Sequence, residues 1–488
     1  MSTLYVPELM LLEGLARSGV GLLVDGRGLV EDVIEGLVGG VVGAGSVSAE
    51  VTIERMPGRI LLPGLANAHS HGFQRLFRGR AEGRAVGGDT FWTWREQMYR
   101  AAAFVRPEDM YDVARAVYLE MVQAGITVVG EFHYLHRDQD GRAYLDGNLL
   151  SETMIRAARS VGLRICLLRS GYFRAGFERA PHAGQARFYE QPEEYLENLG
   201  ALAERYRGTD GVSVGAAPHS IRAVPLEAME RIVGWAREHG DLPVHLHISE
   251  QVGENAACLA EYGQTPVALL AGRGLLDGRT TLIHGIHLSE GEFAQVAGSG
   301  ATICSCPTTE RNLGDGIFPA EIAARLGIPV ALGTDSQAQI DPFDDARELE
   351  YHLRLRDQQR GILDGAVREG WKSRDGIGAA LLQSATSRGY AALGVNGGSL
   401  RAGEAADFLT LDVEDMALLG AESEGLAEQV IFAGSRAAVR EVFVQGKCVL
   451  RDGEHPKAVE IKMHYRAVQD RYQAVQARYR GAISNGGK

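Results

Sequence analysis

The sequence predicts an α/β fold: a (β/α)8 TIM-like barrel, with a small β-sandwich built from both termini. Three observations predict it. Apolar, strand-like runs alternate with charged segments of helical periodicity through the middle of the chain, the pattern of a parallel sheet covered by helices. Ionisable residues fall at the C-terminal ends of those runs, where a closed barrel collects its chemistry. Glycine-punctuated β-like stretches flank the middle on both sides, so the two ends are expected to meet.

Eight runs qualify as strands: RILLPGLANAH (59–69), GITVVGEFHY (125–134), LRICLLRS (163–170), VSVGAAPHS (212–220), LPVHLHISE (242–250), TTLIHGI (280–286), ATICSCP (301–307) and PVALGTDS (329–336). Segments such as PEDMYDVARAVYLEMVQAG and EEYLENLGALAERYR lie between them, with apolar residues at helical spacing. A doubly wound open sheet would also alternate, but no GxGxxG opens it. VGLLVDGRGLV, the glycine- and valine-rich GLVGGVVGAGSVSAE and VTIERMPGRILLPG read as short strands before the barrel, as do GEAADFLTLDVED and AVREVFVQGKCVLRDG after it. The expected division is therefore 1–62 and 396–452 for the two parts of the sandwich, 63–395 for the barrel, and 453–488 for a C-terminal helix. The final SNGGK is expected to be a disordered tail.

Composition narrows the classes. An apolar fraction of 45% with 23% charged residues is that of an ordinary soluble globular protein. A net charge of −13 disfavours nucleic acid and anionic membranes as partners. Five scattered cysteines give no disulfide framework and suggest a reducing compartment. Cys304 and Cys306 form a CxC without a second pair, and read as small core residues. The N-terminus, with Glu8 and Glu13 in its apolar part, does not read as a secretory signal, and no apolar run reaches a spanning length. A cytoplasmic location is expected.

The strand ends carry the chemistry. Strand one ends in His69 and His71, and residues two apart on a strand point to the same side. Strand five carries His245, His247 and Glu250, strand six ends at His284, and strand eight at Asp335. His69, His71, His247 and Asp335 can supply the ligands of one divalent metal ion whose bound water becomes a nucleophile near neutral pH. Alternation does not separate His245 from His247; His247 is favoured because it stands nearer the tip and three residues before Glu250. Glu250 suits a general acid and base, Asp335 can both hold the ion and accept the water's proton, and His284 can polarise the group under attack. His133, His136 and His287 read as ordinary polar residues. Zinc is the default ion for three histidines and an aspartate, with iron(II) the alternative.

Two arginines bear on the substrate. Arg95, on the long loop after strand one, and Arg222, three residues past His219, are permanent cations with a fork geometry suited to carboxylates. Beside a hydrolytic metal site they imply a small dicarboxylate. Trp92 and Trp94 are read as packing that loop.

HSHGFQR, DTFWTWREQMYR, GEFHYLH, PHSIR, PVHLHISEQ, LIHGIHL, NLGDGIFPA and GTDS together resemble the formimidoylglutamate deiminases, cytosine-deaminase-like members of the amidohydrolase superfamily, over roughly residues 57–360. The resemblance implies a mononuclear site in a barrel, a homodimer, and substrate contacts from Gln74, Arg95, Tyr134, His219 and Arg222. It also implies hydrolysis of N-formimino-L-glutamate to N-formyl-L-glutamate and ammonia, a step of histidine breakdown. One position departs from the pattern: Gln337 stands where a histidine is expected after Asp335 and Ser336. The alternatives are a nucleobase or nucleoside deaminase of the same superfamily, guanine- or adenosine-like, and a non-catalytic binding protein, which the complete ligand set argues against.

Overall fold

The computed structural model describes residues 1–37, 51–82, 91–371 and 376–485, side chains at 91–93 and 479–485 excepted. Eight parallel strands form the barrel: β1 (Leu65–Ser70), β2 (Ile126–His133), β3 (Arg164–Gly171), β4 (Val212–Pro218), β5 (Val244–Ile248), β6 (Thr280–His284), β7 (Thr302–Ser305) and β8 (Val330–Leu332). They pair in sequence order. The seam between first and last strands is closed at the C-terminal rim, where Ser70 bridges Asp335 in parallel. Asp335 N–H donates to His69 O (3.0 Å) and His71 N–H to Asp335 O (2.9 Å). Nearly every residue of these strands is buried, as a sheet covered on both faces requires.

The run RILLPGLANAH is two strands rather than one. Ile60–Leu62 end a long strand, Thr52–Pro63, that belongs to the outer sheet, and β1 begins at Leu65. Gly64 is the joint, and a Cβ there would lie 2.2 Å from Thr127 Oγ1. Only glycine lets the chain pass so close to β2 while changing sheets.

The outer sheet joins both termini, as expected. Among the described residues it is one mixed sheet of eight strands, in which Thr3–Leu12 runs parallel to Thr52–Pro63 and Phe408–Asp412 pairs antiparallel to the latter. It folds over its own core, in which Phe408 and Phe443 stack at 4.3 Å and Tyr5 meets both edge-on at 5.0 Å. A buried polar cluster ties this sheet to the barrel: Arg164 at the start of β3 pairs with Asp407, which also accepts from Tyr390 OH (2.8 Å). The segment GLVGGVVGAGSVSAE lies almost entirely outside the described residues. The C-terminal helix, Ala458–Asn485, packs on helix Pro107–Gln123 and runs into the segment expected to be a tail, of which 486–488 lie outside the description. No helix among the described residues is long and apolar enough to cross a membrane.

Candidate active site

Burial decides the state of the histidines at the rim. His69, His71 and His247 are enclosed, and their pKa values fall, His69 to about 3, chiefly because a charged imidazole would lose its hydration. All three are neutral at pH 7. A neutral ring has one N–H, and for two of them its place is fixed: Nδ1–H of His71 donates to Phe132 O (2.8 Å), and that of His247 to His219 O (3.1 Å). Their Nε2 atoms therefore carry lone pairs, and they point at one another.

His71 Nε2 lies 3.2 Å from His69 Nε2 and 3.4 Å from His247 Nε2. Asp335 Oδ1 stands 3.4 Å from His69 Nε2 and 3.3 Å from His71 Nε2. Burial works against the Asp335 charge, but the contact with His69 holds its pKa well below the carboxylate range. Lone pairs and a carboxylate oxygen crowded in this way repel unless a cation sits among them. The spacing is also that of a ligand shell, since a tetrahedron with bonds of 2.0–2.1 Å has edges of about 3.3 Å. His69, His71, His247 and Asp335 thus fit a single divalent ion.

The competing histidine is excluded by position. His245 lies one layer deeper in the barrel, where its Nε2 meets Ala392 O at 2.9 Å. Gln337 closes the seam beside the cluster: its amide donates to Ser70 Oγ and to Asp335 O (2.9 Å each) and accepts from Thr334 Oγ1 (2.9 Å). Ser249, His284, Asp335 and Gln337 all have positive φ, from 45° to 71°. Strained backbone is thus gathered at the tips of β5, β6 and β8.

One pocket brings the remaining predicted residues together. Gln74, Arg95, Tyr134, His219, Arg222, Glu250, His284 and Asp335 all line it. Gln74 Nε2 donates to Tyr134 OH (2.7 Å), so the two are held as a pair. Glu250, raised in pKa mainly by burial, stands 3.8 Å from His284 Nε2. Arg222 is half-buried; desolvation tends to lower its pKa, but Glu254, Tyr172 and Glu250 raise it overall. Arg95 is on helix Phe91–Phe104 and not on a loop, with its guanidinium over the Tyr99 ring. Trp94 lines the pocket as well as packing on Phe77, whereas the side chain of Trp92 lies outside the described residues.

The model of the amidohydrolase family matches residues 60–449. The chain belongs to that family. A formimidoylglutamate deiminase of Pseudomonas aeruginosa is 42% identical over 403 residues, covering 82% of this chain and 87% of that protein. A 5-methylthioadenosine/S-adenosylhomocysteine deaminase of Shouchella clausii is 30% identical over 400 residues, 80% of this chain and 81% of that one. A solved amidohydrolase structure from Brucella melitensis superposes with a TM-score of 0.86 at 33% identity, over 96% of this chain and all of that one.

Several pocket residues of this amidohydrolase escaped the sequence reading. Tyr172 and Phe188 line the pocket from the chain beyond β3, and Met98 and Leu313 from helices. They look like core residues in sequence, and the fold places them at the pocket wall. Glu254, in the first turn of helix Val252–Tyr262, is buried with a pKa raised to about 7 by burial, and its Oε2 accepts from Glu250 N–H (3.4 Å).

Proposed function

We propose that this protein is a metal-dependent deiminase that hydrolyses N-formimino-L-glutamate to N-formyl-L-glutamate and ammonia. The observation that carries the reading is the pairing of two arginines, Arg95 and Arg222, with a His3Asp cluster in one pocket. A small diacid needs two cations at one end and hydrolytic machinery at the other. The relative of that name at 42% identity supports the same substrate.

The metal ion, taken as zinc with iron(II) the alternative, would be held by His69, His71, His247 and Asp335 and would supply the Lewis acidity that makes water a nucleophile near neutral pH. Glu250, raised in pKa by burial, exchanges a proton between that water and the departing nitrogen. His284 Nε2, 3.8 Å from Glu250 and 3.9 Å from the second oxygen of Asp335, stabilises charge at the attacked carbon. Asp335 takes up the other proton that the attacking water gives up and passes it on, so that both hydrogens of the water end on nitrogen as ammonia leaves. Arg95 and Arg222 hold the carboxylates, and Gln74, Tyr134 and His219 orient the chain of the substrate between them.

A cytoplasmic setting and a homodimer belong to the same proposal, the former supported by five cysteines that are all free. The direct test is ammonia release from N-formimino-L-glutamate, run beside guanine, adenosine and 5-methylthioadenosine. Turnover of the diacid alone is expected; turnover of the bases alone would reject the reading. Glu250→Gln should abolish turnover while leaving one metal ion per chain.

A further inference from the structure

Behind His284, on the side away from the pocket, stands a carboxylate to which the mechanism gives no part. Glu310 follows β7, in the short helix Pro307–Leu313, and is 1% exposed. Its Oε1 lies 2.7 Å from Cys306 N and 3.3 Å from His284 Nδ1, and its Oε2 accepts from Ser305 Oγ at 3.0 Å. A backbone N–H can only donate, so Oε1 is an acceptor, and the hydrogen between it and His284 belongs to Nδ1. On the other side of the ring, Nε2 has no hydrogen-bond partner and faces Glu250 and Asp335.

We propose that Glu310 is the positioning residue of His284: by accepting from Nδ1–H it fixes the ring's rotamer and keeps a proton on Nδ1, so that only Nε2 can exchange hydrogen bonds with substrate. This inference rests on the reading of His284 as a group that acts on the bound substrate. Two simpler roles are open to Glu310. As a cap for the helix it needs only the Cys306 N–H, and burying a carboxylate for that alone is a poor exchange. As a ligand, with His284 and Cys306, it would complete a second ion site. Its two oxygens, however, already accept from Ser305 Oγ and from Cys306 N–H. The backbone supports the positioning role. His284 sits at φ 71°, a conformation that costs energy in a non-glycine residue and needs something to hold it.

The experiment uses the metal-loaded, full-length protein. In ¹⁵N-histidine-labelled enzyme, with the His284 signals assigned by their loss in His284→Gln, Nδ1 is expected to be protonated from pH 6 to 8, and an unprotonated Nδ1 would overturn the proposal. In steady-state kinetics on N-formimino-L-glutamate, Glu310→Ala is expected to lower kcat by about 10- to 100-fold with KM and metal content little changed. Glu310→Gln, whose amide oxygen can still accept from both Cys306 N–H and Nδ1–H, is expected to regain most of that loss. An unchanged kcat in Glu310→Ala, or no rescue by Gln, would also overturn it. Absence of turnover by the wild-type enzyme would reject the proposed reaction instead, leaving the Nδ1 signal to judge Glu310.

Discussion

His245 and His247 stand two residues apart on β5, both buried, and differ only in depth along the barrel. His247 reaches the rim and is aimed by His219 O, whereas His245 is spent on Ala392 O. Replacing His247 with Ala should therefore lower metal affinity by more than about 100-fold, beyond what loss of a supporting partner costs. His245→Asn should keep one ion per chain and lose only stability; metal analysis after dialysis reads both outcomes. Arg222 is a different case, because the partner proposed for it is the substrate. Arg222→Met removes a charge-assisted hydrogen bond worth about 1.5–3 kcal/mol and should raise KM by about 10- to 100-fold with metal content intact. An unchanged KM would remove Arg222 from substrate binding.

Between elements, the connections that matter are polar and buried. Beside β3, Arg169 makes a two-pronged pair with Glu190 (2.6 and 2.8 Å) and also reaches Asn148 Oδ1 (2.8 Å), locking the loop before helix Pro192–Tyr206 to the strand. Burial opposes the Glu190 charge, but His136 and the Arg169 guanidinium bring its pKa from 4.5 to about 2. His136 itself is lowered to about 4, chiefly by burial, so near pH 7 it is neutral and Arg169 is the effective partner. Because the folded pKa lies below the unfolded one, the unfolded chain takes up the proton first. Glu190's contribution is whole above about pH 4.5 and is lost as pH falls towards 2. Glu190→Gln should accordingly be less stable at pH 7 and show a flatter loss of stability across that acid window in denaturant titrations. An equal slope in both proteins would show that the pair does not carry acid sensitivity.

At the scale of the whole molecule, the proposed metal site would double as a clasp. Its residues come from β1, β5 and the chain after β8, and the seam it spans is closed by only a few hydrogen bonds around Ser70 and Asp335. An ion that binds the folded state alone adds RT ln(1 + [L]/Kd), about 4 kcal/mol when it is a thousandfold above its Kd. Stripping the protein with a chelator should therefore lower Tm by several degrees and abolish activity, and adding back zinc should restore both together. A Tm indifferent to the ion would mean that the barrel closes without it.

The sequence alone determined the eight βα units, the joining of both ends in an outer sheet, and the residue types gathered at the rim. Periodicity of two or 3.6 is local, and chemistry at a strand's end is readable wherever the strand is. Position relative to residues far along the chain was not readable. Only tertiary structure decided that His247 rather than His245 joins the cluster with His69, His71 and Asp335, that RILLPGLANAH parts at Gly64 between two sheets, and that Arg95 rides a helix. It alone put Glu310 behind His284. The physical reason is that a ligand shell, a sheet change and a hydrogen bond across 26 residues are each fixed by separations of a few ångströms, which depend on how the barrel closes.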